Sequence, residues 1–344
     1  MLTAFQRIVG LILLAMVLAP QAIAHTGGGS TLSQVRQRGH IVCGTAKDEI
    51  GFSEFRRGIG WSGLFVDLCR AVAVAVLGEK RSVRFRPLTG SERFNAVAER
   101  QVDVLTRATA WTLSGEASAN VRFVGPFFYD GKGFLIRKNS GLSSALELSG
   151  AHVCVMAGSL TEAHIQRFFE RRDMGFTKVT AGTWTDLIAH YRDGRCVVLA
   201  ADVAQLAIQR RSMQRPDEHV LLPETVSHDV FGPVVAASGD RWFKIVRWVM
   251  FALIHAERIG LTSTNVTTTQ VLQRAEVRSF VETANVASEQ LGLSEHWLSR
   301  MIRQVGNYGE IFERCLGKMS GIRLPRGRNA LAQDGGLLAA PSFR

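Results

Sequence analysis

The side chains best suited to holding a small polar solute are concentrated in one loop. Thr106, Arg107, Thr109 and Thr112 follow Asp103-Val104-Leu105, which reads as a short buried strand. Their guanidinium and hydroxyl groups can donate several hydrogen bonds at once. A strand that delivers such a loop at its carboxyl end is the usual way an open α/β sheet presents a small-ligand site. Downstream, the aromatic run Phe127-Phe128-Tyr129 ends at Asp130-Gly131, and residues 133–136 read as a strand leading away.

Patterns for cofactor or covalent chemistry are misplaced or missing. Gly58-Ile59-Gly60-Trp61-Ser62-Gly63 fits G-x-G-x-x-G and precedes a helical run. Thirteen residues separate it from Gly44, however, and a dinucleotide site needs its glycines directly after a strand. Between Gly125 and Gly131 lie five residues where a phosphate loop has four, and Gly133 stands where Ser or Thr is required. The nine histidines show no H-E-x-x-H spacing, and there is no G-x-S-x-G elbow. Cys43, Cys69, Cys154, Cys196 and Cys315 form no C-x-x-C pair, which disfavours zinc and thioredoxin-type redox chemistry. No cofactor and no metal are expected.

The elements that must position the loop alternate. Residues 40–44 read as a buried strand, 64–77 as a helix ended by Gly78, and 83–85 as a second strand. Ser91 is placed to cap a helix carrying Phe94, Val97 and Ala98, and the strand before the polar loop follows. Strand, helix, strand, helix, strand is a parallel-sheet pattern. After Lys138 a second α/β unit begins. It has a short helix at 142–148, strands at 151–156, 178–179 and 196–200, and helices opening at Gly158, Thr185 and Asp202. Residues 230–236 read as a return strand before a long helix from Asp240 to Arg258. On that helix Trp242, Ile245, Val246, Val249 and Leu253 recur at helical spacing, as a core stripe does. Pattern alone does not place the tail from Lys318 onwards.

The first 24 residues read as a leader, with Arg7 as the lone charge, a short apolar run at 8–18 and a small-x-small site at Ala22-Ile23-Ala24. The apolar run is shorter than the ~20 residues a membrane span needs. The mature chain is then expected to run from residue 25 to 344 in an oxidising compartment. Losing Arg7 lowers the formal net charge from +11 to +10. The arginines are scattered, with no basic run interleaved with aromatics. The charge therefore speaks for solubility or attraction to anions, and not for a nucleic-acid partner.

Several motifs carry a resemblance that extends from about Thr31 to the C-terminus. They are the loop and strands of 103–138, Trp61-Ser62-Gly63 with Phe65-Val66-Asp67-Leu68-Cys69, Gly232-Pro233-Val234-Val235, and Gln304-Val305-Gly306-Asn307-Tyr308-Gly309-Glu310. Together these resemble the periplasmic solute-binding proteins of polar amino-acid ABC importers (solute-binding protein family 3), closest to the general L-amino-acid-binding branch. The resemblance implies an α/β, two-lobed periplasmic binding protein fold of type II. Each lobe is then a mixed sheet flanked by helices, joined by a two-strand hinge. The expected division is a signal peptide at 1–24, a discontinuous first lobe at 25–136 and 235–344, and a second lobe at 137–234. The chain is expected to cross between lobes near 134–139 and 231–235.

The function is likewise an expectation from that resemblance. The chain would be a periplasmic, monomeric capture protein, taking an amino acid or related zwitterionic or anionic solute by hinge closure and handing it to a membrane permease. It would perform no chemistry. The alternatives are a dehydratase-like enzyme on the same fold, or a sensory protein docking to a receptor. Family members hold the ligand carboxylate with first-lobe loop donors and an arginine, and the ammonium with a second-lobe aspartate. Carried onto this chain, the contact residues are Arg107, Thr109, Thr112, Ser159, Thr161, Asp202 and Phe52. The family arginine falls at position 115, where this chain has Gly115, so either Arg107 takes over the acid group, the expected case because Asp202 is retained, or the ligand is not a free α-amino acid. Of the three pairings open to four cysteines, Cys43–Cys69 with Cys154–Cys196 keeps each bridge inside one lobe and leaves Cys315 free.

Overall fold

The structure is a computed structural model that describes residues 30–344; the expected signal peptide lies outside the described residues. Strand β1 (Ile41–Thr45) is buried along nearly its whole length, as a central parallel strand must be. It pairs in parallel with β2 (Val83–Pro87) on one side and β3 (Val104–Leu105) on the other. The sheet is completed by β4 (Val121–Phe123) and by a strand returning from far downstream. The linking helix Leu64–Leu77 is apolar almost all round and buried, and Gly78 ends it in the left-handed conformation. A small antiparallel ribbon within residues 48–62 hangs from the end of β1.

The chain then passes through β5 (Phe128–Asp130) into β6 (Lys132–Arg137), which already belongs to a second five-stranded sheet. In that sheet β7 (His152–Met156) pairs in parallel with β8 (Thr177–Ala181) and β9 (Val198–Asp202). Strand β6 runs antiparallel to β9 and to β10 (His219–Leu221). Side chains alternate between its two faces: Phe134 and Ile136 pack into one core, and Leu135 into another with Leu199 and Leu206. The return is made by β11 (Asp229–Phe231) and β12 (Val234–Ala236), and β12 inserts between β3 and β4 to close the first sheet.

Two lobes, each a mixed sheet with helices against it, are thus joined by the antiparallel pair β5–β11. This hinge lies at 128–130 and 229–231. It is earlier on the outward pass than the expected crossing at 134–139, because β6 is recruited into the second sheet as soon as the hinge ends. Glycines make the crossing possible. A Cβ on Gly131 would lie 2.4 Å from the Ser227 carbonyl oxygen, and one on Gly232 would lie 2.0 Å from that of Gly125.

Helix Asp240–Arg258 buries Trp242, Ile245, Val246, Val249 and Leu253 in the first-lobe core, as its stripe predicts. Elsewhere local detail departs from expectation. Residues 142–148 make only a 3₁₀ turn at Ala145–Glu147. Ser91 does not cap the following helix, whose first cap residue is Glu92; its hydroxyl meets that of Thr89 instead. The tail that pattern could not place lies against the hinge. Asn329 accepts from the Tyr129 backbone N–H (2.7 Å) and donates to the Tyr129 carbonyl (2.8 Å).

Cys43 and Cys69 stand with their Cα atoms 6.5 Å apart, and Cys154 and Cys196 with theirs 5.7 Å apart, both within disulfide reach. The Cys315 thiol is free and buried, and burial pushes its pKa up. Among the described residues no helix is long and apolar enough to cross a membrane.

Candidate functional site

A cleft of about 830 Å³ opens between the lobes at the hinge. Segments from both lobes and the hinge converge on it, most of them from the carboxyl ends of parallel strands. The first lobe contributes the segment after β1 (Asp48, Glu49, Ile50, Phe52) and Ala108 after β3. From the hinge come Asp130 and Phe231, and from the second lobe Asp202 at the end of β9 and Ile208 on the helix Val203–Ser212. Parallel strands end in loops on one side of a sheet, which is why these groups meet.

The apolar floor is aromatic. Phe52 is buried and stands edge-on to Phe128 with ring centroids 4.9 Å apart, and Phe128 stacks on Phe231 across the hinge ribbon at 6.0 Å. These rings sit where the lobes meet, so their packing ties the shape of the cleft to the geometry of the hinge.

The polar walls are held by ion pairs. Arg107 donates from Nη1 to the Leu88 carbonyl (2.8 Å) and from Nη2 to Glu49 Oε1 (2.7 Å). The second Glu49 oxygen accepts from the Ala108 backbone N–H (3.1 Å) and the Ser53 hydroxyl (3.3 Å). Opposite, the Lys132 ammonium bonds both Asp202 and Asp229, the latter at 2.9 Å. Burial alone would lower the Lys132 pKa; hydrogen bonds and attraction from the two carboxylates outweigh it and raise it. Asp130, buried beside them, accepts from the N–H groups of Gly131 (2.9 Å) and Ala204 (3.3 Å). Its pKa is nevertheless pushed up to about 7, first by burial and then by the nearby Asp202 carboxylate.

Of the expected contact residues, Phe52 and Asp202 line the cleft, and Arg107 stands behind it on Glu49. Thr109 is buried, and its hydroxyl has no hydrogen-bond partner. Thr112 caps the short helix Leu113–Ala117, accepting from the Gly115 N–H at 3.1 Å. Ser159 caps the helix Leu160–Glu170, accepting from the Glu162 N–H (3.2 Å) and donating to the Met156 carbonyl (2.7 Å). Thr161 is buried in the first turn of that helix. None of Thr109, Thr112, Ser159 and Thr161 is on the cleft lining. The residues that the sequence did not single out are Glu49, Lys132 and Asp130. Their signal was visible only as charges flanking the two segments that turned out to be cleft wall and hinge.

Two α/β lobes over a two-strand hinge, with the loops at the ends of parallel strands facing a shared cleft, define a hinged solute-binding protein. Comparison with known proteins agrees. No protein-family model matches the chain. It is 38% identical over 332 residues to the general L-amino acid-binding periplasmic protein AapJ of Rhizobium johnstonii, covering 96% of this chain and 97% of that one. To the putative amino-acid ABC transporter-binding protein YhdW of Escherichia coli it is 39% identical over 335 residues, covering 96% of each. A solved structure of an ABC transporter periplasmic binding protein from Brucella ovis, with glutathione bound, superposes with a TM-score of 0.76. That match has 38% identity and covers 92% of this chain and all of the other. The chain belongs to the family of periplasmic solute-binding proteins of amino-acid ABC importers, in the general L-amino-acid-binding branch, with their type II fold. These relatives are named as binding proteins and not as enzymes.

Proposed function

We propose that the protein captures a small charged solute, an amino acid or a peptide of a few residues, in the cleft by hinge closure. It then delivers that solute to a membrane permease. Closure needs two rigid lobes and a narrow connection, and the three-residue strands β5 and β11 supply the connection. The observation that carries the reading is the cleft itself: an aromatic floor at the hinge, a guanidinium-backed wall on one lobe and Asp202 on the other. The range of solutes bound by the relatives, general L-amino acids for one and glutathione for another, supports the size class.

In this proposal Phe52 packs against the solute, and Arg107 and Asp202 set the charge of the two walls. Thr109 offers its unpartnered hydroxyl on closure, while Thr112, Ser159 and Thr161 act through the loops they brace. The lobes are bounded as 25–136 with 235–344, and 137–234; the antiparallel pairing of β6 with β9 supports moving Lys132–Arg137 into the second lobe. The chain is exported by its leader to the periplasm, acts as a monomer and catalyses no reaction.

A thermal-shift screen of amino acids, short peptides and dicarboxylates on the purified mature protein tests the reading. A specific ligand at about 100 times its dissociation constant adds about 2.7 kcal/mol of stability. A screen in which no solute raises the melting temperature would refute it.

A further inference from the structure

Both charged walls of the cleft already hold a partner, and each partner is a side chain of the same chain. On the first-lobe wall the Glu49 carboxylate sits on the Arg107 guanidinium with one oxygen (2.7 Å) and on the Ala108 N–H with the other (3.1 Å). A guanidinium beside a free backbone amide is a carboxylate seat, because a planar fork and a neighbouring donor match its two oxygens. On the second-lobe wall an ammonium, that of Lys132, lies between Asp202 and Asp229. The chain's own occupants therefore identify the chemistry of both seats. Glu49 lines the cleft and stands in the way of a solute carboxylate, whereas Lys132 lies off the lining and neutralises Asp202 from within the lobe, weakening its hold on a solute ammonium.

The charges left over are placed differently. Among the described residues, neither the Asp48 carboxylate on the first lobe nor the Arg211 guanidinium on the second has a hydrogen bond or ion pair. Both line the cleft, and Ile50, Phe52, Ile208 and Phe231 line it with them. At about 830 Å³ the cleft lies in the range of roughly 300–1,000 Å³ typical of pockets that bury a drug-sized ligand, which leaves room for a short peptide. Resting on the solute-binding reading above, we propose that Glu49 and Lys132 are specificity-determining residues that hold the carboxylate and ammonium seats against free α-amino acids. The solute is then a short peptide, whose ammonium and carboxylate lie several bonds apart and reach Asp48 and Arg211 across the apolar floor.

The exclusion is a matter of competition. A tethered side chain presents its charge at an effective concentration in the roughly millimolar range or above, whereas a scavenged solute is far more dilute. Removing an occupant should restore a charge-assisted bond for the incoming ligand, a gain of roughly ten- to a hundredfold in affinity.

Calorimetric titration of the mature protein decides it, using free L-amino acids in one panel and di- and tripeptides in the other. Glu49→Ala, Lys132→Gln and the double variant are compared with the parent, each first checked for a cooperative thermal transition. Glu49 keeps part of its side chain exposed, so Glu49→Gln, which keeps an acceptor oxygen for Arg107 and the Ala108 N–H but drops the charge, serves if Glu49→Ala or Lys132→Gln fails to fold. The expected result is a parent that binds a peptide but no free amino acid. Glu49→Ala should bind at least one free L-amino acid tenfold or more tightly than the parent does. A parent that binds a free α-amino acid at micromolar concentration, with no gain in the variants, overturns the inference and leaves the solute-binding reading intact. If parent and variants bind nothing in either panel, both fail.

Discussion

Asp130 gives the sharpest link between sequence, hinge and measurable stability. It is the last residue of β5, faces Asp229 across the hinge ribbon and is buried next to Asp202. Its carboxyl titrates near 7 in the fold against an ordinary value of 3.8, because burial and the Asp202 charge outweigh its two backbone hydrogen bonds. A carboxyl whose folded pKa is raised binds its proton more tightly in the native state than in the unfolded one. Stability is then lost as pH rises from about 4, where the unfolded chain ionises, to about 7, where the folded chain finally does. A tenfold change in proton affinity is worth about 1.36 kcal/mol, so the rise from 3.8 to about 7 sets a ceiling of about 4 kcal/mol. Asp130→Asn keeps an oxygen to accept from Gly131 and Ala204 but cannot ionise. Urea unfolding of parent and variant at pH 4, 5, 6, 7 and 8 should show the variant gaining on the parent from pH 4 to about 7 and levelling off above it. The difference curve is needed because His255 works in the opposite sense. Burial and the Arg258 charge hold its pKa down to about 4, so it costs stability as pH falls below its ordinary 6.5. A difference between Asp130→Asn and parent that stays flat from pH 4 to 8 would refute the reasoning.

Three further perturbations follow from the same geometry. Asn329→Ala removes both bonds to the Tyr129 backbone at a residue only 4% exposed, leaving a buried N–H and C=O unpaired. It should cost about 2–4 kcal/mol in urea unfolding, and a loss under 0.5 kcal/mol would show that the tail does not support the hinge. Reducing Cys154–Cys196, which closes a loop of 42 residues, should destabilise the second lobe by about 4 kcal/mol, read as a fall in melting temperature for Cys154→Ser with Cys196→Ser. Arg107→Ala frees Glu49 from its guanidinium and strips the Leu88 carbonyl of its donor. The Glu49 carboxylate left unpaired then adds its charge to the cleft wall, so a ligand carrying a carboxylate should bind at least tenfold more weakly by calorimetry, and unchanged affinity would make Arg107 only a brace for the loop.

The fold was legible wherever a pattern repeated. Alternating strands and helices pointed to parallel sheets, and the buried stripe on Asp240–Arg258 marked a core helix, because periodic burial is written into residue types. The hinge position was less so. Gly133-Phe134-Leu135-Ile136 is an apolar run whether it crosses between lobes or lies inside a sheet, and only its pairing with Val198–Asp202 decides. The tail was opaque for a related reason. Asn329 holds Tyr129 from 200 positions away with an amide side chain, a contact that leaves no local periodicity.

The candidate site divides along a similar line. Phe52 and Asp202 could be placed because each sits where a strand hands over to a loop or helix, and the sheet carries both to the cleft. Hydroxyls at helix starts are ambiguous in any sequence. Ser159-Leu160-Thr161-Glu162 satisfies the capping pattern as well as a ligand loop, and in the structure Ser159 satisfies its own helix. Gly115 poses the remaining problem. A Cβ there would lie 2.9 Å from the Thr112 hydroxyl that caps the helix and 3.2 Å from the Phe94 ring. Restoring an arginine at 115 therefore requires the cap or the ring to give way. The guanidinium this loop does offer, that of Arg107, is neutralised by Glu49. On the proposal above, a relative with arginine at the equivalent of 115 and a neutral residue at the equivalent of 49 should bind free amino acids more tightly than this chain does. Exchanging residue 49 alone is the smaller step between the two, because Glu49 lines the cleft with part of its side chain exposed while a Cβ at 115 presses on Thr112 and Phe94.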